Sequence, residues 1–204
     1  TVHRYKGGRS NAEFSGEGLY SDNTGGIEAV HESLLGDANL AIMCMPDGYT
    51  LGNYFAGVAG TWKIHKIDTP GDDEVMTAIQ VESNAGLDLG RVLCAHAAIT
   101  ATGGQVGQLS ATAAATANGG AAYINVDVDN FTSITCAIQH SSDSTNGVDG
   151  AWADIATFTV MTGITSERVS VAEGTTINKY LRFNVSAFSG TSGTITAGFA
   201  RNAA

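Results

Sequence analysis

The chain is short of charge. Only 15% of its 204 residues are Asp, Glu, Lys or Arg, against about 25% in an ordinary globular domain. Much of the surface is therefore neutral, as in subunits that cover surface with copies of themselves. Basic side chains are the scarcer sign: ten Lys and Arg face twenty Asp and Glu, with no basic run. Tight nucleic-acid binding uses clustered Lys and Arg to displace phosphate counterions, so a high-affinity DNA or RNA binder is not expected. An acidic wall past which DNA slides is compatible, because like charge prevents sticking. Cysteine is also sparse. Cys44, Cys94 and Cys136 match no zinc-ribbon or CxxC spacing, and an odd count argues against a disulfide framework. Each lies in an apolar strand-like run and is expected to be a buried free thiol, in keeping with synthesis in a reducing cytoplasm. No apolar run reaches the 18 residues of a membrane span. No signal peptide is evident in a chain that opens on Thr1 rather than Met.

What is present is mostly β-strand patterning. Residues 12–20 ("AEFSGEGLY") read as a strand bent by glycines, and residues 39–45 ("NLAIMCM") as a strand cut by Pro46. Residues 46–56 form a polar-aromatic loop. Residues 58–68 and 75–82 read as hairpin partners around Pro70-Gly71, and residues 92–99 as a further strand. The best helix signal is residues 24–36, where Ile27, Val30, Leu34 and Leu35 share a face between Thr24 and Gly36. Residues 100–121 are almost wholly Ala, Thr, Gly, Ser, Gln and Asn, which marks a composition boundary. Six strand signals follow, at 122–128, 133–140, 152–160, 166–172, 179–188 and 193–201. Ile134, Cys136 and Ile138 alternate with Thr135, Ala137 and Gln139. Short strands at regular spacing, with Gly, Ser and Asn turns and no helix signal, predict a β-sandwich for this half.

The stretch "HSSDSTNGVDGAW" (140–152) concentrates the chemistry-bearing residues. A calcium loop of the EF-hand type needs D-x-[DN]-x-[DN]-G and a twelfth-position Glu; here Thr145 and Gly147 follow Asp143, and Asp154 holds the twelfth position. His140, Ser141 and Asp143 are adjacent on a turn, whereas catalytic triads draw on distant segments. The expected role is a hairpin tip in which Asp143, Ser144 and Asn146 bond the backbone. Trp152 reads either as a sugar-stacking platform or, preferred, as a residue packing across a sandwich core. The five histidines show no HxH or HExxH pairing, and no GxSxG, GxGxxG or GxxxxGK[ST] motif occurs. Neither catalysis nor a cofactor or metal is expected.

Taken in order, "QHSSDS…GAWADIATFTVMTG…SERVSVAEGTTINKYLRFNVSAFSGTSGTITAGFAR" resembles the C-terminal domain of major tail proteins, the tail-tube subunits of long-tailed bacteriophages. "TVHRYKGGRSNAEFSGEGLYSD", a short helix and "GDANLAIMCMPDG" are similar to the tube domain of the same family. The resemblance covers most of the chain and rests on structural rather than catalytic motifs. It departs at the start: family members carry further residues, including a first strand pair, before the glycine-bent strand.

The resemblance implies a mainly β protein of two β domains. Residues 1–99 would form a tail-tube-type sandwich or barrel with one short helix. Residues 100–121 would be a linker, and residues 122–204 an outer immunoglobulin-like sandwich. It implies no enzyme activity. It implies homo-oligomeric, hexameric rings stacked into a virion tail tube, contacts with other tail proteins, and passage of DNA without specific binding. On that basis Asp72, Asp73 and Glu74 are expected to face the lumen, and the 46–56 loop to make ring-to-ring contacts through Tyr49, Tyr54 and Phe55. The alternatives are a capsid decoration protein or a lectin-like adhesion module on the virion surface.

Overall fold

Val, Ile, Thr, Tyr and Phe recur at period 2 through most of the chain, and among the described residues this pattern resolves into ten strands. A computed structural model describes residues 13–19, 40–68, 76–109 and 114–202. The strands are β1 (Glu13–Leu19), β2 (Leu40–Cys44), β3 (Tyr54–Asp68), β4 (Met76–Ile99), β5 (Gly103–Gly104), β6 (Gln108–Leu109), β7 (Gly120–Ser141), β8 (Ala153–Thr157), β9 (Thr165–Val171) and β10 (Tyr180–Arg201). Every regular element among the described residues is thus a strand. The expected helix at 24–36, the Pro70-Gly71 turn and Asp72, Asp73 and Glu74 lie outside the described residues.

Contacts divide the chain into two units: Thr1–Leu40 with Val58–Leu87, and Ala41–Gly57 with Asp88–Ala204. This division falls elsewhere than the composition boundary at residue 100. In the first unit β1 runs antiparallel to the early part of β4, from Glu13 opposite Glu82 to Leu19 opposite Met76. Val58, Trp62 and Val81 are buried. The backbone of Gly60 closes on that of Glu82 so tightly that no Cβ fits. The Ser83 hydroxyl, buried beside it, donates to the Gly86 carbonyl at 2.8 Å.

The second unit is built on a ribbon of β7 and β10, each 22 residues long. They pair antiparallel from Tyr180 opposite Ser141 to Arg201 opposite Gly120. Beyond β10 lie β4, β5 and β6; beyond β7 lie β8 and β9. Segments expected as separate strands are therefore continuous: 122–128 with 133–140, 179–188 with 193–201, and 75–82 with 92–99. Between β7 and β10 the polar breaks are absorbed as bulges. The β7–β10 register shifts four times between Val185 and Ile195, and each extra residue bends the ribbon without ending it. Gly190, at φ 136°, is one such point: its α-carbon faces Phe131 with no room for a side chain. The Ala/Thr/Gly-rich segment also joins the sheet. Gly103 and Gly104 pair with Val185 and Asn184, and Gln108 and Leu109 with Leu181 and Tyr180.

Both faces of this sheet are buried. Ile124, Ile138, Phe183, Ile195 and Phe199 belong to one apolar cluster; Ala41, Met43, Phe55, Val92 and Tyr123 form another. The two clusters lie on opposite faces because neighbours such as Tyr123 and Ile124 point to opposite sides of a strand. The sheet is also curled. The Ala41 amide on β2 donates to Ser166 Oγ on β9 at 3.2 Å, although β9 pairs with β7, three strands along the order from β3, the neighbour of β2. Curling hides edge hydrogen-bonding groups that would otherwise template aggregation. Cys94 and Cys136 are fully buried in the larger cluster, and burial pushes both thiols up to about 12. Cys44 departs from expectation: it is exposed, because it closes β2 on the parity opposite Ala41 and Met43.

Candidate functional site

The turn between β2 and β3 brings the expected contact residues to one corner. Gly48 (φ 79°) donates its amide to the Met45 carbonyl at 3.0 Å, and Asn53 donates to the Thr50 carbonyl at 3.1 Å. Gly52 and Asn53 then bond Val92 of β4 in both directions at 2.9 Å. The corner is thereby held to β4 before β3 begins. Tyr49 and Tyr54 are 52% and 53% exposed. Phe55, expected on the same surface, is 1% exposed and sits in the core. The reason is strand parity: β3 starts at Tyr54, two residues before the expected loop ends, so Tyr54 points out and Phe55 points in. The Phe55 ring packs against Gly90 and Gly198, where a Cβ would collide with it, and meets Tyr123 edge-on at 5.6 Å.

β4 supplies a cationic or imidazole partner to each exposed tyrosine. The Arg91 guanidinium stands 3.7 Å above the Tyr54 ring, and its Nη1 donates to the Gly52 carbonyl at 2.6 Å. The His96 ring lies 4.8 Å from that of Tyr49. His96 sits in a bulge opposite β10, between Cys94 and Ala97. Its φ of 44° is the only positive value at a non-glycine residue among those described. Its Nδ1 lies 3.0 Å from Asp127 Oδ2.

The 141–152 tip proves to be closed on itself. Asp149 accepts hydrogen bonds from the Ser144 hydroxyl (3.0 Å), the Thr145 amide (2.8 Å) and the Thr145 hydroxyl (2.6 Å). Asp143 accepts from the Ser141 hydroxyl (2.7 Å) and the Ala151 amide (2.9 Å). These donors favour the charged forms and hold both carboxyls below the usual range, with Thr145 the main cause for Asp149 and Ser141 for Asp143. The carboxylates are thus spent on their own loop, as an Asx-type turn requires. His140 turns elsewhere: its Nδ1 accepts from the Asn178 amide at 3.2 Å, so that nitrogen is not available to Ser141. Burial, and then the nearby charge of Arg201, lower its pKa.

Trp152 differs from the expected core residue. It is half-buried at the surface, with Arg182 stacked 4.2 Å from its ring and Gly107 packed against its Cη2 edge so closely that no Cβ fits. Its Nε1 donates to the Asp149 carbonyl at 3.0 Å. Arg182 Nε in turn donates to Gln139 Oε1 at 2.8 Å. The tryptophan therefore clamps the tip, and its stacking surface is already used by arginine.

A buried polar network went unmarked in the sequence. Arg168 of β9 reaches Asp88 of β4 through Nη2 and Nε, both at 2.8 Å. The Tyr123 hydroxyl donates to the same Asp88 oxygen at 2.6 Å, and Arg168 Nη1 donates to Ser170 Oγ at 2.6 Å. Burial disfavours the Arg168 charge, but Asp88 outweighs burial and raises its pKa; burial and Asp88 together raise that of Tyr123. Asp88 and Arg168 are 80 residues apart, so no local spacing signals the pair. Arg201, whose pKa burial lowers to about 10, bonds the carbonyls of Ile177 and Asn178 and the Thr116 hydroxyl. It ties together the segments that lead into β7 and β10. Among the described residues no three His, Cys, Asp or Glu side chains are grouped to hold a metal ion. No protein-family model, curated protein or solved structure matches the chain.

Proposed function

We propose that the protein is a virion structural subunit, the major tail protein whose rings stack into the tube of a long-tailed bacteriophage. One observation carries the reading. A tied-down β-body presents aromatic and aliphatic side chains (Tyr49, Tyr54, Leu89, Ile164) to solvent from its turns and strands. Exposed apolar groups on a rigid scaffold suit an interface between subunits. The chain's low charge and the resemblance of its motif order to that of tail-tube proteins support the same reading. In it the two β domains would be a tube domain with its short helix and an outer immunoglobulin-like sandwich. Hexameric rings would bury sheet edges between neighbours. Asp72, Asp73 and Glu74 would line the bore, where acidic charge keeps DNA mobile. The partners would be other copies and other tail proteins, and the location the virion tail. The arginine stacked on Trp152 weighs against the lectin-like alternative, since a sugar platform needs a free aromatic face. Electron microscopy of the concentrated protein, and immunogold labelling of virions, test the proposal. Tubes of sixfold rings and gold along tails are expected; a persistent monomer with gold confined to capsids refutes it.

A further inference from the structure

We propose that Asn146 is a modification site, deamidated through attack by the Gly147 amide when the 141–152 tip opens, and that the Ser144 hydroxyl is the lock that withholds this amide while the tip is closed. The inference does not depend on the self-assembly reading. Asparagine followed by glycine is the pair most open to this chemistry, because no side chain shields the attacking nitrogen. The chain has two such pairs, Asn118–Gly119 and Asn146–Gly147. In the reaction hydroxide removes the Gly147 N–H proton, and the nitrogen attacks Asn146 Cγ. The bond from Cγ to the side-chain nitrogen breaks, and that nitrogen leaves as ammonia. Water then opens the cyclic imide at either carbonyl, giving an aspartyl or an isoaspartyl link. The net change consumes water, releases ammonia and leaves a carboxylate where an amide stood.

The tip presents the electrophile and withholds the nucleophile. Asn146 is exposed, and its Oδ1 accepts from the amides of Val148 (2.9 Å) and Asp149 (3.1 Å). These donors draw electrons from Cγ and would stabilise the oxyanion formed on attack. Gly147 is buried, and its N–H donates to Ser144 Oγ at 2.9 Å. Ser144 is fully buried, and its hydroxyl donates onward to Asp149 Oδ1 at 3.0 Å. The Gly147 carbonyl accepts from the Gly107 amide at 2.7 Å, so both ends of the residue are held. Hydroxide must reach the same N–H that exchanges with solvent hydrogen, and a buried, bonded amide is reached through local opening. Conversion at Asn146 is therefore tied to the population of the open tip. An isoaspartyl link also adds a backbone methylene ahead of Gly147, which displaces its bonds to Ser144 and Gly107, so the tip does not reclose as before. The second pair is held differently. The Gly119 carbonyl accepts from the Asn202 amide at 3.2 Å, and the Asn118 carbonyl from Asn202 Nδ2 at 2.8 Å. It serves as an internal reference.

The test incubates the full chain in mildly alkaline buffer and follows both Asn-Gly pairs by peptide mapping with mass spectrometry. A free peptide of residues 141–152 gives the rate of an open tip. Folded wild type should convert at Asn146 more slowly than the peptide by ~10-fold or more. Ser144→Ala removes the acceptor of the Gly147 amide, and Asp149→Ala, at an exposed position, removes the acceptor of the Ser144 hydroxyl. Both should convert ~10-fold or more faster than wild type, with conversion at Asn118 unchanged and exchange of the Gly147 amide accelerated in step. Wild type converting at the peptide's rate overturns the lock. Ser144→Ala converting more slowly than wild type would mean that the hydroxyl assists the attack, which also overturns it. A peptide that does not convert removes Asn146 as a site. Equal acceleration at Asn118 and Asn146 would trace the effect to global unfolding and overturn the role of the tip. Should Ser144→Ala not fold, Asp149→Ala carries the comparison.

Discussion

Removing one partner of the Asp88–Arg168 pair should cost far more than removing both. The side chains are 12% and 10% exposed, and Arg168 makes two 2.8 Å contacts with one Asp88 oxygen. Asp88→Ala leaves a guanidinium almost out of water with only the Tyr123 and Ser170 hydroxyls beside it. An uncompensated buried charge of this kind costs about 3–5 kcal/mol. Arg168→Met leaves the Asp88 carboxylate with the Tyr123 hydroxyl alone, and a penalty of the same order, about 3 kcal/mol, applies. In the double variant no buried charge is stranded, and methionine occupies much of the space of the arginine stem. What remains is an unpaired Tyr123 hydroxyl and imperfect packing, together about 2–3 kcal/mol. The singles sum to roughly 6–8 kcal/mol against about 2–3 for the pair, giving a coupling of about 4 kcal/mol. Urea unfolding of the four proteins, followed by circular dichroism, measures it. Additive losses, with a coupling below about 0.5 kcal/mol, would show that the charges are solvated and that the network does not hold β9 to the sheet.

Three further outcomes follow from the same structure. Phe55→Ala should destabilise by about 3–5 kcal/mol, as truncation of a fully buried aromatic does; a loss below about 1 kcal/mol would place Phe55 on the surface with Tyr54. Stability should fall in alkali. Cys94 and Cys136 ionise near 9 unfolded but about 12 folded, so above pH 9 the unfolded chain releases protons that the folded chain keeps. Their contribution is complete below pH 9 and shrinks by about 1.4 kcal/mol per pH unit per thiol up to pH 12. Chemical denaturation from pH 8 to 11 checks this, and an identical slope in the Cys94→Ala/Cys136→Ala variant would refute it. At the other extreme, the folded Asp149 carboxyl titrates below its unfolded value. Its hold on the 141–152 tip is present above about pH 4 and is lost as pH falls through the lower, folded value. Amide exchange at Thr145 and Asn146, corrected for intrinsic rates, should accelerate on acidification in wild type and be fast throughout in Asp149→Ala.

The sequence marks where strands run more clearly than where they stop. Ile134, Cys136 and Ile138 alternate as a paired strand must, and all three are buried. Gly190 and its polar neighbours read as a turn, because Gly, Ser and Asn in sequence are the local signature of one. A bulge uses the same residues. Whether the chain turns or merely bends depends on whether the partner strand continues alongside, and β7 does, with Phe131 opposite Gly190; that information lies far along the chain from the ambiguity. The Asp88–Tyr123–Arg168 network has the same cause, since its members come from three strands that only the fold brings together. The 141–152 tip was legible because its hydrogen bonds are local, each Asp bonding within eight residues of itself. Trp152 was misjudged because its partners Arg182 and Gly107 are remote in the chain.

Strand parity bears on function as well as on fold. Once Phe55 is committed to the core over Gly90 and Gly198, Tyr54 must face the other way, whatever lies there. Its exposure is thus a consequence of the fold and by itself says nothing about a partner. The same holds for Leu89, which flanks Gly90 on its strand and is 66% exposed. Arg91 does not change that. Its Nε is buried without a hydrogen-bond partner, so the fold bears a desolvation penalty to hold this guanidinium over the Tyr54 ring. A cation–π contact at an exposed site contributes only about 0.5–1 kcal/mol, less than the ~1–3 kcal/mol attached to an unsatisfied buried donor. The 2.6 Å hydrogen bond from Arg91 Nη1 to the Gly52 carbonyl offsets the rest, since hydrogen bonds from charged groups contribute ~1.5–3 kcal/mol. Arg91 over Tyr54 is thus accounted for within one chain, by strand parity and by the hydrogen bond that its own turn supplies.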